Sequence, residues 1–89
     1  MPYALLVADE RVWHRDLTAI QRQDVLRIIA RIRELSCDPW PEGLHVRKLQ
    51  HYGLADFRLR VGNYRVLFNR DDDRKEVRLL RVLHRSKLY

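Results

Sequence analysis

The sequence predicts an α+β fold: an N-terminal strand and a helical hairpin, followed by an antiparallel sheet of three to four strands with the helices packed on one face. Apolar residues recur at helical spacing in the first half of the chain, whereas they alternate with polar residues in the second half. Two turn residues, Gly62-Asn63, separate two alternating runs and indicate a tight hairpin. The 89 residues leave room for one domain, which we take as residues 1–89.

The first half begins with the apolar stretch from Tyr3 to Ala8, which we interpret as a strand because it is too short for a signal core or a membrane span. Asp9 can cap a short helix that runs to about Leu17, and Thr18 with Gln21 is a capping-box candidate for a second helix. The buried stripe of that helix is expected to comprise Val25, Ile28, Ile29, Ile32 and Leu35. The segment from Asp38 to Gly43, rich in proline, then ends it.

In the second half the Gly62-Asn63 turn sets the register of a hairpin, and a leading glycine favours a type II′ turn. The register predicts these facing pairs: Val61 with Tyr64, Arg60 with Arg65, Leu59 with Val66, Arg58 with Leu67, and Phe57 with Phe68. A further strand is predicted from Val77 to His84, reached through an acidic loop, Asp71 to Asp73, and Val46 to Leu49 is a candidate edge strand.

The net charge of +6 is concentrated at one end of the chain. Residues 1–56 hold eight basic and eight acidic residues, whereas residues 57–89 hold ten basic and four acidic ones. A localised basic surface attracts polyanions such as nucleic acid, although charge alone does not exclude a merely soluble basic protein. The single cysteine, Cys37, permits no internal disulfide, which fits a reducing cytoplasm.

Three arginines are predicted on one side of the hairpin: Arg58, Arg60 and Arg65. Side chains alternate between the faces of a sheet, so the apolar residues take one side and these arginines the other. Facing like charges such as Arg60 and Arg65 destabilise a sheet unless a carboxylate or phosphate lies between them. The structural alternative is a solvated face paired with the loop from Asp71 to Asp73 or with Glu76. Because three arginines converge, we favour an anion site.

The chain ends in a second candidate cluster, which includes His84, Arg85 and Tyr89. Histidine has a pKa of about 6.5, which suits proton transfer at neutral pH, and tyrosine offers a ring for base stacking. Taken singly, His84 as a packed residue and Tyr89 as a frayed end are the simpler interpretations. Further candidates for RNA contact are Arg47, Lys48, Arg81 and Lys87. The four histidines are scattered and Cys37 has no partner at ligand spacing, so we predict no metal site and no cofactor.

The segments from Phe57 to Phe68 and from Val82 to Tyr89 together resemble the C-terminal signature of the RelE/ParE toxin superfamily. The order of strand, helical hairpin and sheet is similar too, so the resemblance covers nearly the whole chain. It implies a ribosome-dependent mRNA endoribonuclease that cuts message in the ribosomal A site, inhibits translation in the cytoplasm and is neutralised by a RelB-like antitoxin. No membrane partner is expected.

By position, the resemblance implies that Arg58 and Arg60 line the scissile phosphate and that Arg65 is the arginine of the family's Tyr-Arg pair. Arg85 matches the terminal basic residue and Tyr89 the tyrosine that stacks on the message. His84 stands where several relatives have a catalytic histidine. The reaction would be attack of a ribose 2′-hydroxyl on the neighbouring phosphate without a metal ion. One departure is that the best-known members have lysine where Arg58 and Arg60 stand. Arginine does not readily give up its proton, which argues against a mechanism that needs a basic lysine there.

Two other functions remain open on the same scaffold. The first is a ParE-like inhibitor of DNA gyrase without nuclease activity, which would need neither the arginines nor the His-Arg…Tyr ending. The second is a non-catalytic RNA-binding or antitoxin-titrating protein. Ribosome-bound message that stays intact while supercoiling is inhibited would favour the first, and undiminished growth arrest after Arg65→Ala or Tyr89→Ala would favour the second.

Overall fold

The computed structural model describes residues 2–88 and confirms the α+β architecture. The elements are β1 (Ala4–Val7), α1 (Glu10–Thr18), α2 (Arg22–Glu34), β2 (Val46–Lys48), β3 (Phe57–Val61), β4 (Tyr64–Asp71), β5 (Glu76–His84) and a 3₁₀ turn, Arg85–Lys87. The five strands form one sheet in the order β1-β5-β4-β3-β2, with helices α1 and α2 between β1 and β2 in the chain. No helix in this part of the chain is long and apolar enough to cross a membrane.

The helical hairpin follows the predicted pattern in α1 but not at the start of α2. Asp9 caps α1, because its carboxylate accepts hydrogen bonds from the backbone N–H groups of Arg11 and Val12. The predicted capping box at Thr18 is wrong: Thr18 is the last residue of α1, and its hydroxyl donates back to the carbonyl of Arg15. α2 begins without a side-chain cap. Its stability therefore comes from its buried face, where Ile28, Ile32 and Leu35 pack in the core.

The sheet combines antiparallel and parallel pairs. β2, β3, β4 and β5 pair antiparallel, as predicted, whereas β1 lies parallel to β5, with Leu5 beside Val77. The long connection through both helices allows this parallel pairing. The register of the β3–β4 hairpin is the predicted one at every pair. Gly62 has φ +57 and Asn63 does not have a positive φ, as a type II′ turn requires.

The main core lies between the helices and one face of the sheet. Leu59, Val66, Phe68 and Val77 are fully buried there. Leu67 is also fully buried but lies outside this cluster, because its side chain points to the other face. That second face is therefore partly covered, which the simple alternation of the sequence does not predict.

An arginine clamp joins the N-terminus, the loop after α2 and the β4–β5 turn. The guanidinium of Arg70 lies between the rings of Tyr3 and Trp40, 4.1 and 4.8 Å from their centroids. It pairs with Asp38 at 3.0 Å and with Asp72 at 2.7 Å. Burial opposes the charge of Arg70, but hydrogen bonds to Tyr3 and the two carboxylates outweigh burial and raise the pKa. Arg70 is thus a structural arginine.

Candidate functional site

The register places the three predicted arginines together on one side of the sheet. Arg60 lies directly opposite Arg65, and Arg58 lies opposite Leu67. Their neighbours along each strand, Leu59 and Val66, are buried against the helices, so the arginines point away from them. We call this side, which carries Arg58, Arg60 and Arg65, the arginine face.

Internal carboxylates of the described residues do not pair with Arg58 or Arg60. Among residues 2–88, no ion pair involves Arg58 or Arg60. The Arg65 guanidinium donates to the carbonyls of Gly62 and Tyr64, both at 3.0 Å. Asp71, the carboxylate that the structural alternative would use first, instead accepts hydrogen bonds from the backbone of its own turn. The guanidinium groups of Arg58 and Arg60 therefore keep donors that suit a carboxylate or a phosphate.

Two shallow hollows adjoin each other on this face, with Arg58 lining both. The first has a volume of about 150 Å³ and is lined by His45, Val46, Arg47, Arg58 and Arg60. The second, of about 140 Å³, is lined by Leu49, Gln50, Tyr52, Arg58 and Leu88. One hollow is thus basic and its neighbour is apolar and aromatic.

Two residues that the sequence predicts as RNA contacts lie in the edge strand β2, on opposite sides of the sheet. Arg47 lies opposite Arg58 and extends the arginine face by one strand. Lys48 lies opposite Phe57, which packs against the core, so the lysine belongs to the other side of the sheet. Only Arg47 joins the arginine face.

Tyr52 is the residue of this face that the sequence analysis missed. It lies in the loop before β3, where neither helical nor alternating periodicity applies. Sequence patterns in loops seldom identify single functional side chains. The one available signal is an aromatic residue next to Gly53, shortly before a strand that carries arginines. In the structure Tyr52 lines the second hollow together with Arg58.

His84 is not brought to the arginine face. It lies opposite Tyr64, which packs on the helix side of the sheet, and the two rings meet edge to face at 5.5 Å. Its Nδ1 accepts a hydrogen bond from the backbone N–H of Ser86 at 3.2 Å and so caps the 3₁₀ turn. In the neutral ring the proton then sits on Nε2. The predicted role in proton transfer at the arginines has no support in this placement.

Arg81, one of the predicted RNA contacts, is engaged in an internal ion pair. Its guanidinium forms a two-point pair with Asp16 of α1, at 2.7 and 3.0 Å. The same carboxylate accepts the backbone N–H of Val82 at 3.1 Å, on the part of β5 that extends beyond β1. Burial alone would raise the pKa of Asp16, but the bonds from Arg81 and Val82 outweigh burial and lower it. The ion pair between Arg81 and Asp16 thus holds α1 against the sheet.

The C-terminal residues divide between the two sides of the sheet. Arg85 is exposed, and its backbone N–H donates to the carbonyl of Asn63, which ties the 3₁₀ turn to the hairpin. Lys87 lines a cavity of about 570 Å³ on the helix side, together with Arg15 and His84. Leu88 returns to the second hollow. Tyr89, predicted to stack on RNA, lies outside the described residues.

Metal binding is not supported by any cluster of side chains in the described chain. Between residues 2 and 88, no group of three or more His, Cys, Asp or Glu side chains could hold a metal ion. The arginine face supplies fixed positive charge, and two hollows adjoin it.

Comparison with solved structures identifies the fold. The chain is 25% identical to the RelE–RelB complex from Pyrococcus horikoshii OT3, with a TM-score of 0.75 over 98% of this chain and 99% of that one. It is 28% identical to the RelB–RelE antitoxin–toxin complex from Methanococcus jannaschii, with a TM-score of 0.70 over 94% of each chain. For the toxin–antitoxin complex RelBE2 from Mycobacterium tuberculosis the values are 27%, 0.71, and 94% and 99%. No family model and no curated protein matches the sequence. On the strength of these near-complete structural matches, the chain has the RelE-like toxin fold.

Proposed function

We propose that this chain is the toxin of a type II toxin–antitoxin system and that it inhibits translation as a ribosome-dependent mRNA endoribonuclease. The similarity to RelE chains solved with RelB supports the toxin part. One observation carries the nuclease part: Arg58 and Arg60 meet no carboxylate within residues 2–88, although they share a face with Arg65. Two neighbouring guanidinium groups that no carboxylate of the described residues pairs with are suited to bind a phosphate.

The proposed reaction is attack of a ribose 2′-hydroxyl on the adjacent phosphorus. The P–O5′ bond breaks, the 2′-hydroxyl loses its proton, and the leaving 5′-oxygen takes one up. The products are a 2′,3′-cyclic phosphate and a 5′-hydroxyl. Negative charge builds on the phosphorane, and fixed cations that already surround it lower the barrier.

The arginine face supplies that charge from both strands of the hairpin. We assign Arg60 and Arg65, which lie opposite each other, to the phosphorane. Arg58 binds the phosphate and orients the ground state, and Arg85, on the turn tied to the hairpin, gives further phosphate support. Tyr89 is assigned to base stacking, as the resemblance implies. Arginines at positions 58 and 60 stabilise charge but do not act as bases.

We assign His84 a smaller part in the proposed reaction than these residues. A general acid or base contributes typically 10² to 10⁴ in rate when it reaches the reacting proton. His84 lies on the helix side and caps a turn through Nδ1. The proposed mechanism therefore rests on charge stabilisation. Substitution of His84 tests whether it also transfers a proton.

The proposed partners are the ribosome, the message in its A site, and a RelB-like antitoxin. The antitoxin is expected to present an acidic or amphipathic segment that covers the arginine face and folds as it binds. The proposed compartment is the cytoplasm, where ribosomes and message are found.

Primer extension on cellular messages after brief induction tests the proposal. We expect cuts in reading frame that disappear when translation is blocked, and that Arg60→Ala and Arg65→Ala abolish. Arg74→Ala is the matched control, because Arg74 is exposed in the β4–β5 turn, at the opposite end of the strands from Gly62. Messages that stay intact while purified protein inhibits gyrase supercoiling would replace this function with that of a ParE-like inhibitor.

A further inference from the structure

The second hollow has the form of a site for one flat group. The residues that line it are Leu49, Gln50, Tyr52, Arg58 and Leu88. Its volume of about 140 Å³ is well below the roughly 300 to 1,000 Å³ of pockets that enclose drug-sized ligands. The space suits one planar ring rather than a peptide segment.

The charge beside the hollow indicates what the flat group is attached to. Arg58 lines both the aromatic hollow and the basic hollow that contains Arg47 and Arg60. A ligand that fills both hollows therefore has an anionic end and an adjoining planar end. A nucleotide within a single strand has this form, because each phosphate is joined through a ribose to a base.

We propose that the hollow is a nucleobase subsite in which the ring of Tyr52 stacks on one unpaired base of the RNA whose phosphate contacts Arg58. This proposal deepens the proposed function, on which it rests, by naming the substrate as single-stranded at this nucleotide. The apolar side chains of Leu49 and Leu88 hold the base edgewise. The amide of Gln50, with one donor and one acceptor group, reads the edge of the base.

A duplex does not fit this arrangement. In a helical stack both faces of a base are covered by its neighbours, so a protein ring reaches a base only where the strand is unstacked. The subsite therefore accepts RNA of any sequence that presents an isolated unpaired base. Hydrogen bonds with Gln50 then favour some bases over others.

The test uses RNA that binds but is not cut. All-2′-O-methyl trinucleotides lack the nucleophilic hydroxyl, and 2-aminopurine placed at each position in turn reports stacking by loss of fluorescence. We expect the wild-type chain to quench one position most strongly. Tyr52→Ala should weaken binding roughly 5- to 150-fold, the range for loss of one stacked base, and abolish quenching at that position.

Three controls separate stacking from loss of structure. Tyr52→Phe keeps the ring and should quench as the wild type does. Leu54→Ala alters a residue of the same loop that is 46% exposed and does not line the hollow, so binding should change less than twofold. Arg60→Ala should weaken binding but leave quenching intact at saturation, because it removes a phosphate contact and no ring.

The outcomes distinguish this inference from the function on which it rests. Position-specific quenching that depends on Tyr52, in a chain that leaves ribosome-bound message intact, would uphold the subsite and overturn the nuclease. Cleavage that proceeds equally well with Tyr52→Ala, or quenching that is absent at every position, would overturn the subsite and leave the nuclease standing.

Discussion

The pair between Asp16 and Arg81 yields a prediction that separates structural arginines from functional ones. The Asp16 side chain is 6% exposed and that of Arg81 is 28% exposed. Asp16→Ala leaves the guanidinium unpaired and the backbone N–H of Val82 without an acceptor. Breaking a buried pair costs about 3 to 5 kcal/mol, and an orphaned buried N–H costs about 1 to 3 kcal/mol. Because water still reaches Arg81, we expect a total of about 2 to 4 kcal/mol.

Urea unfolding followed by circular dichroism measures this loss, and a double-mutant cycle with Arg81→Met isolates the coupling between the two side chains. Asp24→Asn is the matched control, because Asp24 forms only an exposed pair with Arg27 at 3.4 Å. Its effect should stay within about 0.5 kcal/mol. A loss below about 1 kcal/mol for Asp16→Ala would contradict the structural role. So would Arg81→Met with unchanged stability and abolished cleavage, which would restore Arg81 as an RNA contact.

The same pair predicts how stability depends on pH. The pKa of Asp16 in the folded chain lies below its ordinary value of 3.8, so the unfolded chain takes up this proton first as the pH falls. The stabilisation is complete above pH 3.8 and is lost as the pH drops through the folded-state pKa. Asp16→Asn should remove this part of the acid sensitivity, and an acid unfolding profile identical to that of the wild type would refute it.

Three further predictions concern other parts of the fold. His84→Asn keeps a side chain that can cap the 3₁₀ turn, so cleavage of ribosome-bound message should fall less than about tenfold; a fall of 10² or more would show proton transfer by His84. Gly62→Ala places a side chain at φ +57 and should cost roughly 1 to 2 kcal/mol in urea unfolding, whereas an unchanged or higher midpoint would argue against a strained turn. The lysine of Arg70→Lys cannot both stack between two rings and span two carboxylates. We therefore expect the free energy of unfolding to fall by about 1 to 3 kcal/mol and the near-ultraviolet circular dichroism of Trp40 to weaken. A fully retained signal would contradict the clamp.

Local rules predicted the hairpin and with it the arginine face. A two-residue turn leaves one register, and the period of two along a strand then assigns every side chain to a face. The capping of α1 by Asp9 follows from equally local chemistry, because the carboxylate and the N–H groups lie within three residues. The capping-box prediction was wrong at Thr18. Threonine is a residue type that caps helices, but Thr18 ends one helix instead of starting the next.

Features that depend on distant contacts could not be predicted in this way. The sequence predicts Arg81 as an RNA contact, yet its partner in the fold, Asp16, is 65 residues away in the chain. The position of His84 relative to the arginines depends on the register between β4 and β5, which a bulge near Phe68 shifts by one residue. A shift of one residue exchanges the faces of a strand, so the alternation pattern alone could not place this histidine.

The distribution of carboxylates explains why the charges of Arg58 and Arg60 are open to a ligand. Paired carboxylates neutralise arginines elsewhere: Asp16 with Arg81, Asp24 with Arg27, Glu34 with Arg31, and Asp38 and Asp72 with Arg70. Asp9 and Asp71 accept backbone N–H groups instead. In the described chain none of these seven reaches Arg58 or Arg60. Because these carboxylates are engaged elsewhere, the fork-shaped guanidinium groups of Arg58 and Arg60 are available to an external phosphate as counter-charge.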